Sequence, residues 1–136
     1  RNYEYHIVKN YSPISRNFAA KLKWNFDLNL LNQCAEKLLG ENDFTSFCKA
    51  TSEVNNKICT IYTAKWNDLG DRIIFSIQAN RFLQHMVRYL VGTMLEVSRG
   101  RYSLDDFINL IQCNFSDAVV VKAPACGLFL TKVDYE

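Results

Sequence analysis

The run Asn80–Gly100, N-R-F-L-Q-H-M-V-R-Y-L-V-G-T-M-L-E-V-S-R-G, constrains the fold more than any other stretch of the chain. Wound as one long helix, it places Phe82, Leu83, Met86, Val87, Leu90, Val91, Met94, Leu95 and Val97 on one broad apolar arc. An arc that wide has to be buried, so the rest of the chain must supply a surface to cover it. Asn80 reads as the N-cap of this helix and Gly100 as its stop. Arg88 falls at the edge of the arc, with Gly92 one turn further along. A glycine inside a helix costs about 1 kcal/mol against alanine, which points to another backbone coming close at Gly92. Spacing alone reads Arg88 as an exposed cation beside a small packing residue.

The flanking segments supply the covering surface. Tyr3, Tyr5 and Ile7 alternate with Asn2, Glu4 and His6, a strand with one aromatic face. Ile58 to Trp66 reads as a second strand, with Ile58, Thr60, Tyr62, Ala64 and Trp66 on one side. Asn67-Asp68-Leu69-Gly70 is a hairpin turn, and Arg72 to Ala79 returns with Ile73, Phe75 and Ile77 together. Asp27 caps a helix from about Leu28 to Leu39, with Leu28, Leu31, Ala35 and Leu38 on one face and Gly40 ending it. Asp43 to Phe47 is a loop with buried aromatics. Ser103 caps a short helix to about Ile111, with Leu104, Phe107, Ile108 and Ile111 inward. Lys9 to Arg16, residues 48–56 and residues 113–122 are connectors, and Phe18 to Phe26 is a helical turn or a short strand around Leu22 to Trp24. Ala123-Pro124-Ala125 turns the chain into a final strand, Gly127 to Tyr135. Strands arrive beside hairpins and one long helix, not in βαβ repeats. The predicted class is α+β, an antiparallel sheet with helices packed on one face.

At 136 residues this is one domain that buries about two-thirds of its unfolded surface. A net charge of +2 is too mild to announce nucleic-acid binding and permits it only where Lys and Arg cluster. Five cysteines at scattered spacings, with no C-x-x-C and only two histidines, argue against a zinc site or a disulfide framework. They read as reduced thiols of a cytoplasmic protein. No apolar run approaches the ~20 residues of a membrane span, and no signal peptide is visible. The chain opens on Arg1 inside a strand, as a fragment would.

Four segments resemble, in order, the tRNA pseudouridine synthase A family of bacteria. They are R-N-Y-E-Y-H-I at the start, L-L-G-E-N-D-F-T-S-F at 38–47, A-N-R-F-L-Q-H-M-V-R-Y-L-V-G at 79–92 and A-P-A-C-G-L-F-L-T-K-V-D-Y at 123–135. The resemblance implies one half of the pseudouridine synthase fold, with a basic RNA-binding cleft. The implied reaction breaks the N1–C1′ bond of a uridine, turns the base and rejoins it through C5. It uses neither metal nor small-molecule cofactor. The implied substrate is tRNA, at positions 38–40 of the anticodon arm, and related enzymes act as homodimers.

By that resemblance three residues are catalytic. Arg88 matches the arginine that pairs with a nucleophilic aspartate, which needs a cation to stay ionised and oriented. Tyr3 matches the tyrosine against the target base, although the strand pattern alone would make it a half-buried tyrosine with a wet hydroxyl. Leu128 matches the apolar wall of the pocket, and Gly127 before it would let the chain turn tightly. Asn80, Arg81 and His85 are the implied RNA contacts, and Arg99 and Arg101 extend a basic edge. His85 reads equally as a surface histidine; Lys49 and Lys57 are open to RNA phosphate contact by the resemblance, but each alone reads more readily as a solvated lysine. The family's aspartate lies in an R-T-D-x-G-V-H-A motif, and no such string occurs here. The chain is therefore expected to be the C-terminal domain, residues 1–136, of a synthase whose aspartate lies upstream. Alone it is expected to be inactive. The competing readings are a non-catalytic RNA-binding module and a dimerisation module.

Overall fold

Alternation from Asn2 to Val8 and from Arg72 to Ala79 becomes the middle of a six-stranded sheet. The computed structural model describes residues 1–8, 20–21, 26–48, 55–113 and 119–132. The strands are β1 (Asn2–Val8), β2 (Ala20–Lys21), β3 (Gly40–Asp43), β4 (Ile58–Asp68), β5 (Arg72–Ala79) and β6 (Leu128–Lys132). Their order is β2-β1-β5-β4-β3. β6 pairs with Asn2–Tyr5 of β1, and β2 pairs with Ile7 and Val8. The β1–β2 pairing is parallel and the other pairings are antiparallel. The helices are α1 (Leu28–Glu36), α2 (Met86–Ser98) and α3 (Leu104–Ile111). This is the expected α+β class.

One face of the sheet carries the core. Tyr5, Ile7, Trp66, Ile73, Phe75 and Ile77 join Leu31, Leu90, Val91, Met94 and Phe107 from the three helices in a single buried cluster. The Trp66 indole nitrogen points at the Met94 sulfur, 3.5 Å away. Both central strands therefore bury the side that the alternation predicts.

β4 does not keep its predicted face. Its register slips between Ile61 and Thr63, so Tyr62 is an extra residue against β5. Before the bulge the buried positions are Cys59 and Ile61; after it Ala64 and Trp66 face the core. Ile58 and Tyr62, read on the same side as Trp66, are exposed while Trp66 is buried. The turn after β4 is close to its predicted place, with Gly70 at φ +94 and its amide held by Asp68 Oδ1 at 2.9 Å.

The long helix starts later than the apolar arc suggests. Asn80 is not its cap: its side-chain oxygen accepts from Thr60 N at 2.9 Å, and its own amide donates to Thr60 O at 3.1 Å. Arg81 donates through Nη1 to the carbonyls of Asn56 and Ile58, at 2.9 and 3.3 Å. These bonds hold residues 80–81 to β4. The chain then turns through His85, whose φ of 63° cannot belong to a right-handed helix, and α2 begins at Met86. Leu83 stays buried throughout, which is why the apolar periodicity extends past the real end. At the other end Gly100, at φ +85, is the predicted stop.

α1 is capped by Asp27, whose Oδ1 accepts from Leu30 N at 3.0 Å, but it ends at Glu36 instead of Leu39. Gly40, at φ +88, starts the edge strand β3, which the sequence pattern did not reveal. Phe44 and Phe47 are buried, as expected. α3 has a full capping box between Ser103 and Asp106, and it buries Phe107, Leu110 and Ile111, with Leu104 and Ile108 half-buried. The Lys9–Arg16 loop, Leu22–Trp24, Lys49 and the end of the final strand lie outside the described residues.

All five cysteines are unbridged. Burial pushes the Cys34 thiol up to about 12 and raises that of Cys59. Alkylation of the native chain at neutral pH should therefore mark the exposed Cys113 and Cys126 and spare Cys34 and Cys59 until urea is added. Peptide mass spectrometry would check this. Equal native rates at Cys34 and Cys126 would contradict the placement of α1 on the sheet.

Candidate active site

Three elements meet at the end of the sheet where β1 begins. β1 presents Tyr3 on its helix-facing side, two residues before buried Tyr5. β6 lies against β1 with Leu128 opposite Tyr5. The non-helical stretch 82–85 and the first turn of α2 close over them. Between these elements lies a cavity of about 270 Å³, lined by Arg1, Tyr3, Phe82, Leu83, Gln84, His85, Met86, Val87 and Leu128. Tyr3 and Phe82 meet edge to face, with ring centroids 5.0 Å apart and an interplanar angle of 88°.

His85 reaches this wall because of its backbone. A left-handed residue costs about 1–2 kcal/mol outside glycine, and such strain clusters at functional sites. Here it turns the chain so that Phe82, Gln84 and His85 line the cavity ahead of the helix.

Arg88 lies beside the cavity, not in its lining. Its Nε donates to Ala123 O at 2.8 Å, and Ala123 N donates to Arg88 O at 3.0 Å. The extended segment 121–124 thus runs along α2 as a strap. Val121 N donates to Thr93 Oγ1 at 3.0 Å, and that hydroxyl donates to Tyr89 O at 2.8 Å. A Cβ on Gly92 would sit 2.0 Å from Val121 O, so only glycine admits the strap. The close backbone approach inferred from a mid-helix glycine is this one. The strap is also tied to the sheet, where the Tyr5 hydroxyl donates to Pro124 O at 2.6 Å. Burial keeps the Tyr5 phenol well above the ordinary tyrosine range, with the Arg88 charge acting in the opposite direction. A guanidinium has five N–H donors, and its Nε bond engages one of them.

Gly127 closes the tight 3₁₀ turn Ala125–Gly127, as expected, and it serves a second purpose. Its φ is not positive; a Cβ there would lie 2.6 Å from Tyr5 Cζ and 2.8 Å from His6 O. The glycine makes room for the Tyr5 ring.

Of the predicted site residues, Tyr3, Leu128 and His85 converge on the cavity, and Arg88 follows the lining residue Val87 without lining the cavity itself. Asn80 and Arg81 are held against β4, outside the lining. Arg99 and Arg101 do not continue a basic edge with Arg81. Both lie beyond the far end of α2, about 20 Å of helix away, and both pair with Glu96 at 3.6 Å. Sequence reasoning missed Phe82, Gln84 and Arg1 as wall residues. Phe82 was hidden in the apolar arc, and nothing in the pattern marks the left-handed turn that brings Gln84 to the wall.

The arrangement is a half-open recess in which the rings of Tyr3 and Phe82 and the aliphatic Leu83, Val87 and Leu128 face the polar Arg1, Gln84 and His85. Its volume falls below the roughly 300–1,000 Å³ of pockets that hold drug-sized ligands. Among the described residues, no carboxylate lines the cavity, no group of three His, Cys, Asp or Glu is placed to hold a metal, and no helix is long and apolar enough to cross a membrane.

The model of a family described as tRNA pseudouridine synthase matches residues 34–136. The tRNA pseudouridine synthase A of an Exiguobacterium strain is 37% identical over 136 residues, covering 100% of this chain and 55% of that protein. The protein of the same name from Listeria innocua is 38% identical over 140 residues, covering 100% of this chain and 56% of its own length. That of Bacteroides fragilis is 38% identical over 136 residues, covering 99% of this chain and 54% of its own length. The chain spans about half the length of the curated relatives it matches.

Proposed function

Because the chain belongs to the tRNA pseudouridine synthase family, we propose that it is the C-terminal part of an enzyme that isomerises uridine to pseudouridine in tRNA. The proposed targets are positions 38–40 of the anticodon arm, and the proposed working form is a cytoplasmic homodimer. The single observation that carries this reading is the meeting of Tyr3 and Leu128 in one cavity beside Arg88.

The uridine has to leave the stack to reach any such cavity. Tyr3, standing against Phe82, gives the extruded base an aromatic surface, and Leu128 closes it from the other side. These walls keep water from the base while its glycosidic bond is broken and it turns to present C5. The nucleophile is an aspartate outside this chain. Arg88, anchored through Nε, presents a fixed positive charge that keeps this carboxylate ionised and aimed. His85, Arg81 and Asn80 contact the RNA around the extruded nucleotide, with His85 nearest the base.

Tritium release from tRNA carrying 5-tritiated uridine tests the reading. The chain alone should release none. The chain joined to its native upstream sequence should release tritium on making pseudouridine. Release from the chain alone would remove the need for an outside aspartate. No release from the joined form, with tRNA still bound, would leave a binding module as the better account.

A further inference from the structure

We propose that Tyr5, buried behind the cavity, is a positioning residue that sets the guanidinium of Arg88 through the strap at 121–124. The inference rests on the reading of Arg88 given above. Tyr5 is fully buried, and its ring packs with Leu128 as the paired residue on β6 and Gly127 against its edge. Its hydroxyl donates to Pro124 O at 2.6 Å. The preceding residue, Ala123, supplies the carbonyl that receives Arg88 Nε and the amide that donates to Arg88 O. The path from the Tyr5 hydroxyl to the arginine is therefore two hydrogen bonds, joined through Pro124.

This arrangement gives Tyr5 a job that a plain core residue does not have. Phenylalanine would fill the same volume and keep the ring contacts. The hydroxyl adds the tie between the strap and the sheet, at the carbonyl next to Ala123 O, while Thr93 Oγ1 and Arg88 O hold the strap to α2. The same strand carries Tyr3 two residues earlier, and β6 carries Leu128 beside it. Tyr5 thus lies on the strand of Tyr3, opposite Leu128, and is linked to Arg88 through the strap.

The test is Tyr5→Phe in the polypeptide that contains this chain with its native upstream sequence, with Phe107→Leu as a control. Phe107 is buried in α3 against Phe47, outside the strap, so its truncation loosens the fold without touching Arg88. Both variants are compared under conditions where urea melts show them fully folded. Tyr5→Phe should lower kcat about tenfold with KM for tRNA unchanged, the split expected for loss of a transition-state interaction. Phe107→Leu should leave kcat unchanged. The second readout is the Arg88 Nε–H resonance in ¹⁵N spectra of the chain, which should exchange faster with solvent in Tyr5→Phe only. A Tyr5→Phe enzyme with normal kcat and a normal Nε–H signal overturns the inference. So does an equal fall in kcat for Phe107→Leu. Activity surviving Arg88→Ala would instead overturn the reading of Arg88 itself, whatever Tyr5→Phe does.

Discussion

Replacing Arg88 with alanine in the polypeptide containing this chain is expected to lower kcat/KM by about a thousandfold, with tRNA affinity little changed. The magnitude follows from what the side chain is held to do. Removing one preorganised group from a site of developing charge costs about 10²–10³ in kcat. The upper end of that range applies, because removing the cation leaves the carboxylate without its opposite charge. Arg88→Lys sharpens the prediction. Lysine keeps the charge but has no Nε–H in the fork that meets Ala123 O at 2.8 Å. It should lose about a hundredfold, since a point charge on a flexible stem is not fixed by the strap. Both variants lose one hydrogen bond to the strap, worth about 0.5–1.5 kcal/mol of stability, so urea melts should show folded protein. Steady-state tritium release with tRNA binding measured separately would check the result. An alanine variant within about tenfold of the parent, or 1.4 kcal/mol in barrier, would remove Arg88 from the mechanism.

Arg88 also marks what a sequence can and cannot disclose. Its spacing described an exposed cation. In the structure it is half-buried and bonded to a carbonyl 35 residues away. No local pattern encodes a partner at that separation; only motif resemblance raised its importance. Gly92 behaved differently. A mid-helix glycine has a local penalty, so its presence called for a local reason, and the strap is that reason. Tyr5 and Ile7 were legible because period two has one solution when one face is buried. Tyr62 was not, because the alternation continues through the bulge and only pairing with β5 shows the extra residue. The start of α2 failed for a related cause. Phe82 and Leu83 continue the apolar arc, yet tertiary bonds from Asn80 and Arg81 to the start of β4 hold the backbone out of the helix. Tyr3 and Leu128 come from opposite ends of the chain, and only the β1–β6 pairing makes them neighbours.

Gly92→Ala should destabilise the chain by about 2–4 kcal/mol, against the usual sign of this change. In an ordinary helix the substitution stabilises by about 1 kcal/mol. Here the new Cβ would meet Val121 O at 2.0 Å, Val121 C at 2.7 Å and Ala123 N at 2.9 Å. All three are main-chain atoms, so no rotamer change relieves the clash. The strap must retreat by more than an ångström to reach ordinary van der Waals distance. That movement pulls Val121 N from Thr93 Oγ1 and loosens both bonds between Arg88 and Ala123. Overpacking costs about 1–3 kcal/mol, and each lost hydrogen bond about 0.5–1.5 kcal/mol. These terms exceed the propensity gain. Gly100→Ala is the comparison, because its Cβ would meet open space and the cost is only that of φ +85, about 1–2 kcal/mol. Urea denaturation should show a lower midpoint for Gly92→Ala at an unchanged slope, and a smaller drop for Gly100→Ala. A Gly92→Ala chain as stable as the parent would mean that the strap does not lie on α2 in solution. Arg88 would then lose the anchor on which its orientation depends.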